Sequence, residues 1–213
     1  MLRAAKSASV PWPAFSACRP PCSRMLKGNC SMGRAPGVVM AGRPSHHGRM
    51  AKGRFQVFLL RHADAGDPEA WSGSDEKRPL SPKGERQADR LAKFLAGMRF
   101  HPDAIVSSPK LRARQTAEAV AGAIGCAVEL DDRLAGGFGV ETIGDWLEEH
   151  PAANRVVFSG HDPDFSDVVA ELCNSTLIPM AKCALARLDL DDRRATSGTL
   201  RWLIPPDALK PEG

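Results

Sequence analysis

The feature that most constrains the fold is an alternation of short apolar runs with stretches of helical period. The first run is Phe55-Gln-Val-Phe-Leu-Leu60, and others follow at 104–106, 127–130 and 155–158. Runs of this length separated by helical stretches are typical of buried strands in an α/β sheet with mostly parallel strands. Two further runs, 184–190 and 199–204, are joined by a polar turn and are expected to pair with each other.

Start and stop signals for helices lie between these runs. Ser81-Pro82 predicts an N-cap followed by proline at the first helical position, and Gly97 is placed to end that helix. Ser108-Pro109 predicts a Ser-capped second helix, and Asp162-Pro163 predicts an Asp-capped fourth helix. A third helix is expected at about 141–150.

The basic charge of the chain is confined to its first quarter. Residues 1–53 hold nine Lys and Arg and no acidic residue, which leaves 20 basic and 25 acidic residues in the rest. The net charge of the rest is therefore about −5, although the whole chain carries +4. We predict a disordered basic extension at 1–53, one folded domain at 54–206 and a C-terminal tail at 207–213.

The extension leaves two interpretations open. It is either an upstream start with Met50 as the true first residue, or an Arg-rich segment like an organellar transit peptide. The acidic domain argues against a nucleic-acid partner, and no apolar run reaches the ~20 residues that span a bilayer. Six scattered cysteines without a C-x-x-C pair favour a reducing, cytoplasmic location, with an organelle as the alternative.

Three of the apolar runs end in residues that can do chemistry. The first leads into Arg61-His62-Ala63-Asp64, the second into Ser107-Ser108-Pro109 and Arg112, and the fourth into Ser159-Gly160-His161. Because the carboxyl ends of parallel strands share one edge of a sheet, we expect two histidines and two arginines to meet there.

This set of side chains suits a phosphoryl group. Guanidinium groups match phosphoryl oxygens bidentately, and helix N-termini favour anions. The first turns of the second helix carry three cations, Lys110, Arg112 and Arg114, which oppose the helix dipole unless an anion binds there. Arg112 and Arg114 point in different directions on a helix, so only one of them can face the site.

Each group in the set then receives a predicted role. We predict His62 as a nucleophile that forms a phosphohistidine intermediate, because neutral imidazole can attack phosphorus. Arg61, Arg112 and His161 are predicted to bind the phosphoryl oxygens and stabilise their charge, with Asp64 as a further substrate-binding residue. No metal ion or cofactor is required.

These motifs resemble those of the histidine phosphatase superfamily, which includes phosphoglycerate mutases. The matching segments are Leu59-Leu-Arg-His-Ala63, Ser107–Ala113 with Gln115-Thr116-Ala117, Gly160-His161 and Arg78-Pro-Leu-Ser-Pro-Lys-Gly84. The resemblance covers about residues 55–204 and is greatest to the compact SixA-type phosphohistidine phosphatases. It implies a single doubly wound three-layer α/β/α domain, with Arg61, His62, Arg112 and His161 as the phosphate pocket.

One departure from the mutase-like members bears on the substrate. Where they carry a proton-donating Glu, this chain has Leu134-Ala-Gly-Gly-Phe-Gly139 and no acid before Glu141. A phosphohistidine leaving nitrogen can already be protonated, whereas an ester oxygen needs an acid. The sequence therefore favours phosphohistidine, with Asp64 and Glu141 as candidate proton donors.

The predicted partner is a phosphohistidine-bearing protein, because no long insertion between Ser107 and His161 could cover a small metabolite. The chain itself is predicted to be a monomer or a weak dimer. Three alternatives stay open. They are a phosphomonoesterase acting on small phosphorylated molecules, a metal hydrolase using His62, Asp64 and His161, and a non-catalytic phosphate-recognising adaptor. Full activity in excess chelator would exclude the metal hydrolase.

Overall fold

Strands and helices alternate along residues 55–210, the part of the chain that the computed structural model describes. The six strands are β1 Phe55–Arg61, β2 Ala104–Ser107, β3 Val128–Leu130, β4 Arg155–Gly160, β5 Leu185–Leu190 and β6 Gly198–Ile204. The four α-helices are α1 Pro82–Gly97, α2 Leu111–Ile124, α3 Val140–Glu149 and α4 Asp164–Leu172. Short 3-10 helices occupy Asp75–Lys77, Asp132–Ala135 and Pro206–Leu209. The extension predicted at 1–53 lies outside the described residues.

The strands form one six-stranded sheet in the order β3-β2-β4-β1-β5-β6. The first four are mutually parallel, β5 runs antiparallel to β1, and β6 runs antiparallel to β5. The predicted mostly parallel sheet and the terminal strand pair are therefore confirmed. Arg61 lies beside Gly160, and Ser107 lies beside Ser159, so β1, β2 and β4 end at the same level.

Helices cover both faces of the sheet and give the expected three layers. Val57 and Leu59 face a core cluster shared with α3 and α4, whereas Phe58 and Leu60 face one shared with α1 and α2. Side chains alternate between the faces of a strand, so a strand buried on both faces is apolar throughout. This explains why residues 57–60 of β1 form a continuous apolar run.

The first helix begins as its sequence predicts. Ser81 is the N-cap, its hydroxyl accepts a hydrogen bond from the Gly84 amide at 3.1 Å, and Pro82 is the first helical residue. The helix ends at Gly97.

The other two predicted caps are wrong. Helix α2 begins at Leu111 with no side-chain cap, because the Ser108 hydroxyl instead bonds to the imidazole of His161. Helix α4 begins at Asp164 with Pro163 at the N-cap position and no side-chain cap, and the Asp162 carboxylate accepts from the Ser166 hydroxyl at 2.6 Å.

The chain continues in an ordered form beyond residue 206. The 3-10 helix Pro206–Leu209 buries Pro206 and packs Leu209 against the core cluster shared with α1 and α2. Part of the segment predicted as a C-terminal tail is thus packed against the domain. Among residues 55–210, no helix is long and apolar enough to cross a membrane.

Candidate active site

The structure brings His62, Arg112 and His161 together at the carboxyl edge of the parallel strands. Arg112 Nε lies 3.4 Å from His62 Nε2, and the two imidazole rings have centroids 5.2 Å apart. These side chains are only 8%, 6% and 8% exposed in chain order. We call this group, together with Arg61, the catalytic pocket.

Hydrogen bonding fixes which nitrogen of His62 is free to react. Nδ1 lies 2.7 Å from the Ala63 carbonyl oxygen, which can only accept, so Nδ1 carries the proton. In the neutral ring Nε2 then holds a lone pair, and Arg112 Nε–H points at it. Burial lowers the pKa of His62 to about 4, assisted by the charges of Arg112 and Arg61, so the ring is neutral at physiological pH.

The second histidine is held by a serine hydroxyl. His161 Nε2 lies 2.9 Å from Ser108 Oγ, and Ser108 Oγ accepts from the Lys110 amide at 3.3 Å. The serine hydroxyl can therefore donate its proton to Nε2 of His161, and this favours the tautomer with the ring proton on Nδ1. Nδ1 is buried and has no partner among the described residues. Burial lowers the pKa of His161 to about 3, with the charges of His62 and Arg112 adding to the effect.

Arg61 lies at the end of β1, directly before His62. Its guanidinium donates to the Met180 carbonyl oxygen and forms an ion pair with Asp162 at 3.4 Å. Its Nε is buried and has no partner among residues 55–210. Arg61 thus uses part of its guanidinium to bind the protein and keeps one buried donor without a partner among these residues.

The guanidinium of Arg112 is held by a carboxylate that the sequence did not indicate. Nη1 and Nη2 of Arg112 bond to the carbonyl and carboxylate oxygens of Asp75 at 2.8 and 3.0 Å. Arg78, itself buried, holds the other Asp75 oxygen at 2.9 Å and donates to the Ala65 carbonyl. As expected, only one of the two neighbouring arginines faces the site, since Arg114 pairs with Glu118 in solvent.

A threonine anchors the loop that follows His62 to helix α2. The Thr116 hydroxyl accepts from the Ala63 amide at 3.0 Å and donates to the Arg112 carbonyl at 2.7 Å. The backbone that follows His62 is therefore anchored to the helix that presents Arg112.

The carboxylate of Asp64, predicted to bind substrate and to be a candidate proton donor, makes its bonds within the protein. It accepts from the Ser81 hydroxyl and the Gly66 amide and pairs with Lys182 at 3.0 Å, so it fixes its own loop. These bonds hold the pKa of Asp64 well below its usual range. A carboxylate that stays ionised has no proton to donate, so Asp64 does not suit the role of general acid, and its role in substrate binding stays a prediction.

Glu141 lies in the first turn of α3 and is exposed. Its role as a proton donor stays a prediction. Among residues 55–210, no three or more His, Cys, Asp and Glu side chains are arranged to hold a metal ion.

Comparison with known proteins identifies the family. Residues 57–161 match the model of the histidine phosphatase superfamily (branch 1). The phosphohistidine phosphatase SixA of Escherichia coli is 31% identical over 161 residues, which span 73% of this chain and 97% of SixA. The chain therefore belongs to the histidine phosphatase superfamily and is a phosphatase.

Solved structures agree with this assignment. A structure of the protein histidine phosphatase SixA complexed with tungstate is 30% identical, with a TM-score of 0.64, and covers 73% of this chain and 100% of that one. The putative phosphohistidine phosphatase SixA from Agrobacterium tumefaciens is 27% identical, with a TM-score of 0.60, and covers 72% and 99%.

Proposed function

We propose that this phosphatase hydrolyses phosphohistidine on a partner protein, with His62 Nε2 as the nucleophile. The observation that carries the proposal is the hydrogen bond from His62 Nδ1 to the Ala63 carbonyl oxygen. It leaves an unprotonated nitrogen in a buried ring whose pKa is about 4, directed at a guanidinium. A neutral imidazole beside fixed positive charge suits attack on a phosphoryl group.

The first step transfers the phosphoryl group to His62. The Nε2 lone pair attacks phosphorus, and the bond from phosphorus to the substrate nitrogen breaks with its electron pair going to that nitrogen. A substrate ring protonated on its second nitrogen leaves as neutral imidazole, so no acid is consumed. Nδ1–H of His62 stays bonded to the Ala63 carbonyl, which stabilises the positive ring of the phosphorylated enzyme.

The second step releases phosphate. Water attacks the phosphorus of phosphorylated His62, and the electron pair of the phosphorus–nitrogen bond returns to Nε2. Both hydrogens of the water leave with the inorganic phosphate. Arg61 and Arg112 are proposed to stabilise the oxygens of both transition states.

The carboxylates near the pocket favour a leaving group that needs no acid. Asp75 is held by Arg78 and Arg112, which keep its pKa below the usual range, and the pKa of Asp64 is also lowered. Both groups stay ionised at neutral pH. An alcohol ester would need a proton donor on its leaving oxygen, whereas a protonated phosphohistidine does not.

The course of the chain supports a protein substrate. Between β2 and β4 the chain forms α2, β3, a short 3-10 helix and α3. Residues of all four pack into the sheet or against its core clusters. No insertion long enough to close over a small metabolite lies in this segment, so the pocket suits a histidine presented on another protein.

A substrate panel tests the proposal. The full chain is assayed with a phosphohistidine phosphotransfer protein, free phosphohistidine, phosphoserine, sugar phosphates and p-nitrophenyl phosphate, with and without excess chelator. We expect kcat/KM for the phosphohistidine protein to exceed that for every ester by about a hundredfold. Activity should survive the chelator.

Faster turnover of a sugar phosphate would overturn the proposed substrate, and loss of activity in chelator would overturn the histidine mechanism. His62→Asn should be inactive. His101→Asn, which changes an exposed histidine in a loop, is the matched control and should keep full activity.

A further inference from the structure

A cleft of about 620 Å³ lies beside the catalytic pocket. Helix α1, residues 181 and 182 and the C-terminal 3-10 helix form its walls. Five cationic side chains line it, namely Lys83, Arg86, Arg90, Lys182 and Lys210. We call it the basic cleft.

The cations of the basic cleft outnumber its anions. Among residues 55–210, the carboxylates that line it are Asp64, which pairs with Lys182, and Asp207, which pairs with Lys210. The three cations that remain are all on helix α1, and none forms an ion pair with another residue in the range 55–210. The cleft therefore carries an excess of three positive charges, in a domain whose net charge is negative.

The arrangement of these three cations costs the helix stability. Lys83, Arg86 and Arg90 follow a spacing of three and four residues, which places them on one face of α1. Like charges at this spacing repel each other, and cations in the first turns oppose the helix dipole. Elsewhere on the same helix, Lys93 pairs with Asp89 at 2.7 Å. A local electrostatic conflict confined to a concave surface is typical of a binding site for an anionic ligand.

The basic cleft adjoins the loop that follows His62, because Asp64 of that loop lines it. Lys182 pairs with Asp64, which is two residues after His62, and the backbone amide of Cys183 donates to the His62 carbonyl at 3.0 Å. The charge of Lys182 also contributes to the lowered pKa of His62. The Asp64–Lys182 ion pair thus joins a wall of the basic cleft to the loop that follows His62, so a protein that presents its phosphohistidine to His62 also lies near the cleft.

We propose that the basic cleft docks an acidic segment of the substrate protein while its phosphohistidine enters the catalytic pocket. The inference rests on the proposed function and adds to it how a protein substrate is recognised. Aspartate and glutamate side chains of the partner face Lys83, Arg86 and Arg90, and the phosphoryl group stays with His62. Charge pairs at the rim of an interface mainly raise the association rate and make it depend on salt.

Matched charge reversals on helix α1 test the docking role. Arg86→Glu lies in the basic cleft, and Lys93→Glu lies on the same helix outside it, with an equal change in net charge. We expect Arg86→Glu to lower kcat/KM for the phosphohistidine protein about tenfold through KM. It should leave kcat/KM for free phosphohistidine unchanged. Lys93→Glu should leave kcat/KM for both substrates unchanged. At high salt, the difference in kcat/KM for the phosphohistidine protein between the wild type and Arg86→Glu should disappear.

Two outcomes of this experiment overturn the inference. One is an equal effect of both reversals on the protein substrate. The other is an equal loss by Arg86→Glu on free phosphohistidine, since the residue would then act on the pocket itself.

If the wild-type enzyme hydrolyses no phosphohistidine at all, that result contradicts the proposed function alone. A binding measurement then still tests the docking site. A fluorescein-labelled peptide with six consecutive glutamates should bind the wild-type chain and Lys93→Glu, but not Arg86→Glu, in fluorescence anisotropy. No binding of the peptide, or equal binding by Arg86→Glu, contradicts the docking site. Tighter binding of a single-stranded oligonucleotide than of the peptide contradicts the acidic protein as its ligand.

Discussion

Asp75 holds both terminal nitrogens of Arg112, through its carbonyl oxygen at 2.8 Å and its carboxylate at 3.0 Å. The guanidinium is thereby turned so that Nε–H faces His62 Nε2 at 3.4 Å. Arg78 fixes the same carboxylate from its other side at 2.9 Å. Asp75 thus fixes the orientation of the arginine beside His62, and we infer that it is a positioning residue.

Removing Asp75 should slow the reaction more than it weakens binding. We expect Asp75→Ala to lower kcat about 10- to 100-fold, because Arg112 loses the carboxylate bond and keeps only the backbone carbonyl bond to orient it. Asp75→Asn keeps one acceptor and should recover part of the loss. The control is Glu76→Ala, an exposed neighbour in the same 3-10 helix. Wild-type or higher kcat in Asp75→Ala would show that Asp75 competes for Arg112 instead.

Arg112→Lys should be a severe substitution although the charge is kept. An ammonium group cannot reach Asp75 with two donors and present a third to His62, so we expect kcat to fall about 100- to 1000-fold. Arg114→Lys changes the exposed arginine two residues on, which pairs only with Glu118, and should leave kcat within about twofold. A mild effect of Arg112→Lys on kcat would mean that a positive charge alone is sufficient at position 112.

The two pocket histidines should stay neutral far below the usual histidine range. We expect NMR titration to place the pKa of His62 at about 4 and that of His161 at about 3, since burial disfavours their charged forms. A midpoint near 6.5 for His62 would contradict a desolvated nucleophile.

The same shifts set the sign of the pH dependence of stability. Below pH 6.5 the unfolded chain protonates these histidines, whereas folded His62 stays neutral down to about 4. The free energy of unfolding should therefore decrease as the pH is lowered across this window, by at most about 1.4 kcal/mol per pH unit for each histidine. His161→Asn should show a shallower fall in denaturant unfolding measured from pH 6.5 to 4. An unchanged slope would contradict the buried neutral state of His161.

Gly84 allows helix α1 to pack against the loop that follows the nucleophile. A Cβ at this position would lie 1.9 Å from the Asp64 carbonyl oxygen, a backbone atom that cannot move aside. We expect Gly84→Ala to lower the free energy of unfolding by about 3 kcal/mol in chemical denaturation. Gly97→Ala in the same helix has open space and should be neutral or slightly stabilising. Equal effects of the two substitutions would refute the close approach.

The sequence was sufficient to predict the groups that come together but not how they are held. Apolar runs buried on both faces placed His62 and His161 at strand ends, where parallel pairing brings them together. Ser108 next to proline gives a cap signal, yet its hydroxyl bonds to His161, a residue 53 positions away. Asp75 lies in a polar loop without periodicity, so its contact with Arg112 depends on tertiary folding that no local pattern encodes.

Detection of the phosphorylated enzyme tests the central claim most directly. The chain is mixed with a ³²P-labelled phosphohistidine protein, quenched in alkali within milliseconds and mapped by mass spectrometry. We predict alkali-stable, acid-labile label on His62 at Nε2, and none in His62→Asn. Label on another residue, on Nδ1 of His62, or full turnover by His62→Asn would contradict the role of this nitrogen.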